Sequence, residues 1–289
     1  MIYSASISLP FCPDAGSIHR VFLSGLLQIR AGLFRGFIKK GRRHLEAVFF
    51  VNQAVKFFLL YMVQYGCGFL AVKKGVKVNY TRKINHFVLF FIPIYLDRFF
   101  AHPETFGLFI ISSLFSISTL LIYIEPVRKR VFFINRMFAS FDRPEDRPHT
   151  LLWLSTQIAG GFLVIVPMIM LYAHHGLQHL IMIPILINGI GDGLAEPVGV
   201  RFGRHKYRVY ALFSKRLYHR TLEGSACVFL TSLVVIAFYH DAFTLQQWIL
   251  ALIAVPVCMT LAEALSPHTW DTPFLFLTGY LVVFAVSLV

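Results

Sequence analysis

Apolar residues run along this chain in long blocks separated by short polar intervals, without the strict alternation of a half-buried strand. Blocks at residues 84–100, 105–124, 151–173, 177–200, 223–240, 246–265 and 273–289 each lie near the ~20 residues that a helix needs to cross a bilayer. They predict an all-α polytopic membrane protein with seven spans. A further apolar block, residues 45–72, carries Glu46, Gln53, Lys56 and Gln64 near one face. It either spans with that face inward or lies flat. Residues 1–17 are rich in Ser and Pro. Residues 18–43 mix Phe22, Leu26 and Phe34 with Arg20, Arg30, Arg35, Lys39 and Lys40, which predicts an interfacial helix or an unstructured basic tail. The organisation expected is a basic segment over 1–44 and a single membrane-embedded domain over 45–289.

One block breaks its own pattern. From residue 188 to 203 the chain reads N-G-I-G-D-G-L-A-E-P-V-G-V-R-F-G. Asp192 and Glu196 stand where apolar residues should continue, four apart and so on one side of a helix. Gly191, Ala195, Gly199 and Gly203 form a second row at the same spacing, which lets another backbone or a ligand come close. Pro197 has no N–H for the carbonyl of Gly193, so a bend or break is expected there. An ionisable side chain at mid-membrane costs roughly 2.5–3.5 kcal/mol on insertion scales. Two carboxylates here therefore predict a polar, water-accessible cavity.

Composition agrees with the membrane reading: 57% of residues are hydrophobic and only 14% charged, against about 25% charged in soluble domains. The net charge of +13 is read first as positive-inside anchoring. No basic aromatic patch on a soluble domain points to nucleic acid. Lys and Arg beyond residue 44 concentrate at 73–83, 125–150 and 201–220, and the intervals 98–104, 173–177 and 240–245 hold almost none. The basic loops, and with them the candidate site, are placed on the cytoplasmic face. Most of the 201–220 run is expected to anchor to headgroups. Asp97 and Arg98 are expected to pair at the opposite boundary. Cys12, Cys67, Cys227 and Cys258 are scattered and form no zinc spacing. No basic stretch precedes a short apolar core near residue 1, so no cleavable leader is expected.

Polar residues gather at the basic side in separate stretches: Arg82, Lys83 and His86; Asp192 and Glu196; Arg201 to Arg220; Arg220, Thr221, Glu223 and Ser225; and Glu263, Ser266, His268 and Asp271. Cations and backbone N–H groups suit phosphate oxygens. One or two carboxylates suit magnesium shared with phosphates. Phosphoryl transfer asks mainly for positioning and charge neutralisation.

These stretches resemble a known family. G-D-G-x-A-x-x-x-G-x-x-x-G at Gly191 to Gly203, a basic loop, R-T-x-E-G-S at Arg220 to Ser225, R-K-x-x-H at Arg82 to His86 and E-A-L-S-P at Glu263 to Pro267 are similar to the CTP-dependent polyprenol kinases: dolichol kinase, phytol kinase and the CTP-using diacylglycerol kinase. The resemblance covers about residues 80–289. Its first half is shared with phosphatidate cytidylyltransferases, whose closing Lys-Arg and His-Gly-Gly stretches are absent. Asp271-Thr272-Pro273 stands where the kinases carry Asp-Asn-x-x-x-Pro. The resemblance implies CTP as phosphate donor, Mg²⁺ as cofactor and a long-chain lipid alcohol as acceptor. It implies Asp192, Glu223, Glu263 and Asp271 as catalytic. Gly191, Gly193, Gly199, Gly203, Lys206, Arg220, Thr221, Arg82, Lys83 and His86 would hold the nucleotide, and Asp192, Glu196 and Asp271 the metal. The alternatives are nucleotidyl transfer to an acidic lipid, and a transporter with its broken helix at the substrate site. Oligomeric state is left open.

Overall fold

The computed structural model describes residues 42–100, 105–212 and 214–289, with side chains from residue 47 on and not at residue 214. The expected interfacial segment at 18–43 lies almost wholly outside the described residues. Among the described residues the regular structure is helical apart from one two-stranded sheet. Five of the described stretches are long and apolar enough to cross a membrane: Ala47–Lys74, Phe106–Tyr123, Thr150–His174, Gln178–Phe202 and Leu245–Leu265. The first of these is the block that sequence left undecided. Of the seven expected spans, three are shorter or more polar. Leu222–Phe238 and Asp271–Ser287 have 17 residues each, about 26 Å at 1.5 Å per residue. The block expected at 84–100 is instead the helix Val78–Leu96, which begins earlier and takes Arg82, Lys83 and His86 into its first half.

In chain order the helices are α1 (Arg42–Lys74), α2 (Val78–Leu96), α3 (Phe106–Ser118), the short α4 (Glu125–Arg130) and α5 (Phe132–Phe138), and α6 (Thr150–His174). Then come α7 (Met182–Leu186), one π-helical stretch (Ile187–Asp192) and α8 (Gly193–Phe202). Strands β1 (Lys206–Ala211) and β2 (Ser214–Thr221) lead into α9 (Leu222–Phe238), α10 (Leu245–Leu265) and α11 (Asp271–Ser287). The α7–α8 segment is the central one. In its most apolar window 56% of residues are buried, against at most 28% in the other four long stretches. It lies between α2 and α9; α10 and α11 follow α9 round, α6 packs on α11, and α1 packs on α2 and α5. The main core joins Tyr172, Ile183, Ile187, Val228, Val255, Met259, Leu275 and Tyr280.

One expectation about the central segment is corrected and another is made specific. The helix does not break at Pro197, which sits inside α8. The irregularity comes one turn earlier, where the chain widens into the π-helical stretch ending at Asp192, a form that recurs at functional sites. The row of small residues makes the expected close approach, here to α9 and to Thr221 at its start. A Cβ at Gly191 would lie 3.1 Å from Val228 Cα, and one at Gly203 would lie 2.4 Å from Thr221 Cγ2. The row is the seam along which α8 approaches α9.

That seam gives a direct test. An added Cβ at Gly224 would sit 2.7 Å from the carbonyl oxygen of Ala195, so Gly224→Ala must push α8 and α9 apart. The expected cost is about 1–3 kcal/mol, seen as a lower unfolding temperature in detergent. Gly66→Ala, where nothing lies within 4 Å of the new atom, should leave the transition unchanged or raise it slightly.

The expected basic loop at 201–220 is an antiparallel hairpin. Lys206 pairs with Thr221, Arg208 with His219 and Val209 with Tyr218, with an irregularity between Val209 and Ala211. Alternation explains it: Val209, Ala211 and Tyr218 turn inward onto Trp153, and Arg208, Tyr210 and His219 stay exposed. Asp97 does not pair with Arg98 as expected. Lys56 Nζ and Asn52 Nδ2 both donate to its Oδ1 at 2.5 Å.

Candidate functional site

A cavity of about 570 Å³ opens where the start of α2, the turn before α6, the α8 helix, the hairpin and the α10–α11 turn meet. Of the residues singled out in the sequence, Arg82, Lys83, Asp192, Glu196, Gly199, Gly203, Lys206, Arg220, Thr221, Glu263 and Asp271 line it. Stretches more than a hundred residues apart are thus brought to one space.

Its deep end is made of buried ion pairs. Lys83 Nζ donates to both oxygens of Asp192 at 2.8 Å, and both residues are almost inaccessible. His86 lies behind this pair, its Nε2 3.7 Å from Asp192 Oδ2 and 3.3 Å from the Asn188 carbonyl oxygen, and does not reach the cavity. Asp271 is fixed by Gln157 Nε2 at 2.9 Å and by the Thr272 N–H at 3.1 Å, both on Oδ1. Arg220 holds the far wall. Its Nη1 meets Ser266 Oγ at 3.0 Å and Glu263 Oε1 at 3.4 Å, and its Nη2 is 3.9 Å from Asp271 Oδ2. Burial works against the charge on Arg220, but Glu263 and Asp271 outweigh it and raise its pKa.

Glu196 is a clamp. Arg82 donates to its Oε2 through Nε at 3.1 Å and Nη2 at 2.7 Å. Arg143 Nη1 at 2.7 Å and Asn79 Nδ2 at 2.8 Å occupy Oε1. Arg143, at 4% exposure, also donates through Nε to Asp146 Oδ2 at 2.6 Å and lies 3.2 Å from His268 Nε2. Burial works against the Asp146 carboxylate, but its hydrogen bond with His268 and the Arg143 charge hold its carboxyl below the usual range. Burial holds the His268 imidazole below its ordinary value. The ring is stacked on Tyr218 at 3.7 Å, with Nε2 2.9 Å from Asp146 Oδ1.

Four expected residues lie elsewhere. Gly191 packs on α9, and Gly193 faces the Phe87 ring, which an added Cβ would meet at 2.6 Å. His86 is the third. Glu223 is the fourth: it binds the His205 N–H at 3.2 Å and His205 Nδ1 at 2.8 Å, tying the hairpin base to α9. Thr221 lines the cavity and also caps α9, accepting from the Gly224 N–H at 3.1 Å.

Of the three carboxylates expected to hold a metal, two are hydrogen-bonded to cations. Asp192 is committed to Lys83 and Glu196 to its two arginines. Among the described residues, no three His, Cys, Asp or Glu side chains gather as a metal cage. Magnesium ordinarily takes one or two carboxylates and completes its shell with water and phosphate. Glu263 Oε2 is buried and accepts no hydrogen bond, and Thr269 Oγ1 is equally unpartnered; both residues face the cavity. Thr269 sits at φ +66°, a conformation that costs a non-glycine residue energy and clusters at ligand sites. Glu263 and Asp271 therefore fit the smaller set.

No protein-family model, curated protein or solved structure matches this chain.

Arg143, Asn79, Lys77 and Glu145 also line the cavity and were not singled out in the sequence. Arg143 had a signal: it stands in D-R-P-E-D-R, where acids interleave with arginines, unlike the other basic runs. Lys77 and Lys206 are exposed at the rim and make no ion pair with a described residue.

Proposed function

We propose that this cavity binds a nucleoside triphosphate of the CTP type and transfers its γ-phosphoryl group to the hydroxyl of a long-chain lipid alcohol. The observation that carries the reading is the convergence of Lys83, Asp192, Arg220, Glu263 and Asp271 at the deep end of one large polar cavity. Unpaired Lys77 and Lys206 at its mouth are free to take phosphate charge.

The rim lysines would hold the outer phosphates. Arg220 and Lys83 would face the γ-phosphate, where negative charge builds as the Pγ–O bond to the β-phosphate breaks and that electron pair leaves with CDP. The acceptor oxygen forms the new bond to Pγ, and its proton passes to a carboxylate. Glu263, with one unpartnered buried oxygen, would take it, and Asp192 is less available because Lys83 engages both of its oxygens. A magnesium ion on Asp271, its shell completed by water and the phosphates, would supply charge neutralisation there. Val200 and Leu217 line the cavity and are also exposed outward, which gives a lipid tail an apolar margin. On this reading seven or eight segments cross the bilayer and the basic side is cytoplasmic.

The test uses protein in detergent with CTP labelled at either end. Label from the γ-phosphate in the lipid fraction is expected. Label from the α-phosphate there would mean nucleotidyl transfer, and neither label would remove the phosphotransfer reading.

A further inference from the structure

We propose that the β1–β2 hairpin docks on an anionic membrane surface, with Tyr210, Leu212 and Leu217 seated among phospholipid headgroups. This does not depend on the phosphotransfer reading. The hairpin does not stand away from the bundle. The His268 N–H donates to the Tyr210 carbonyl at 2.8 Å, Tyr218 OH donates to the Glu145 carbonyl at 3.3 Å, and the Tyr218 ring meets Trp153, near the start of α6, at 5.5 Å. Its base is tied down as well: Thr221 caps α9 directly, and only three residues separate α8 from β1. The hairpin therefore lies across the start of α6 and the turn between α10 and α11, where the apolar stretches of those helices end.

The exposed residues of the hairpin have the composition of an interfacial anchor. Tyr210, Leu212 and Leu217 are 54%, 46% and 51% exposed. Arg208 and Lys215 are exposed beside them and pair with no acid among the described residues. Tyr favours the headgroup layer, and basic side chains next to apolar ones favour anionic lipid over water. A protein partner would also bury the apolar residues, but the two unpaired cations are complementary to lipid phosphate. Arg216, Tyr218, His219 and Arg220 of the same hairpin line the cavity, so docking would set how firmly that wall is held.

The experiment places a polarity-sensitive fluorophore at Leu212→Cys in the full chain with its four native cysteines replaced by Ser. The protein is reconstituted in phosphatidylcholine vesicles with or without phosphatidylglycerol, using lipid-borne nitroxide as quencher. Tyr210→Cys is a second reporter in case the first perturbs the turn. The expected result is a blue-shifted, quenched probe when phosphatidylglycerol is present. Arg208→Gln and Lys215→Gln should each lower the docked-to-free ratio about fivefold, and high salt should do the same. A probe that stays in water in both vesicles overturns the proposal. So does quenching that ignores both phosphatidylglycerol and the two substitutions, or shielding that grows only with protein density, which would assign these residues to a second copy of the chain.

Discussion

Asp192→Asn is expected to destabilise the protein by about 3–5 kcal/mol, because it strands a buried ammonium. Lys83 Nζ has two hydrogen bonds to Asp192, and Lys83 itself is only 4% exposed. The amide would keep one acceptor and turn an N–H toward a cation. Loss of activity in that variant would therefore say little about chemistry. The double replacement Lys83→Met with Asp192→Leu separates the two effects. Removing both partners of a buried pair together is often neutral or stabilising, so thermal unfolding in detergent should return to the parent value or exceed it. On the proposed phosphotransfer reading, transfer of γ-phosphate from CTP to lipid should be absent in the double variant, since the cavity has lost a cation and a carboxylate together. A double variant that is both stable and fully active would show that this pair only holds helices together and would move the chemistry to Arg220, Glu263 and Asp271.

The contrast between the pair's two members shows what could be read from the chain alone. Asp192 stood out because a carboxylate in an apolar run carries a known energetic cost. Lys83 was readable only as part of a motif, since any loop on the basic side would carry lysines. That they meet depends on α2 starting at Val78, six residues before hydropathy placed it; hydropathy reads charge as the end of a span, whereas here the helix continues through the charges because they are neutralised inside. The hairpin was missed for a related reason. Residues 206–221 alternate inward and outward, but the dense charge of that run masks the alternation, and the inward positions find apolar partners only on α6. The glycine row was read correctly as a close-approach surface, yet spacing cannot say whether backbone or ligand approaches. The turn at Thr269 and the unpartnered Glu263 oxygen are tertiary facts with no local signature.

Glu196 carries the second large effect. Its partners stand far from it in the chain, Arg82 on α2 and Arg143 in the turn before α6. Glu196→Gln should leave Arg82 without an ion-pair partner among the described residues, whereas Arg143 keeps Asp146 and the neighbouring His268. The loss should therefore fall at or below the low end of the roughly 3–5 kcal/mol range for a broken buried pair, because Arg82 is partly accessible at 17%. Its consequence should be local. With the clamp released, the turn over residues 142–149 is no longer held to α8, and its amides should exchange faster than those of the core around Ile187 and Val228. Glu196→Asp keeps the charge but is one methylene shorter, so it should satisfy one arginine and fall between the parent and the Gln variant. A double-mutant cycle with Arg143→Met measures the link directly, with a coupling of about 0.5–3 kcal/mol expected for groups in contact. Coupling near zero, with unchanged exchange in the turn, would mean that Glu196 serves Arg82 alone and that the wall formed by residues 142–149 is held by Asp146 and His268.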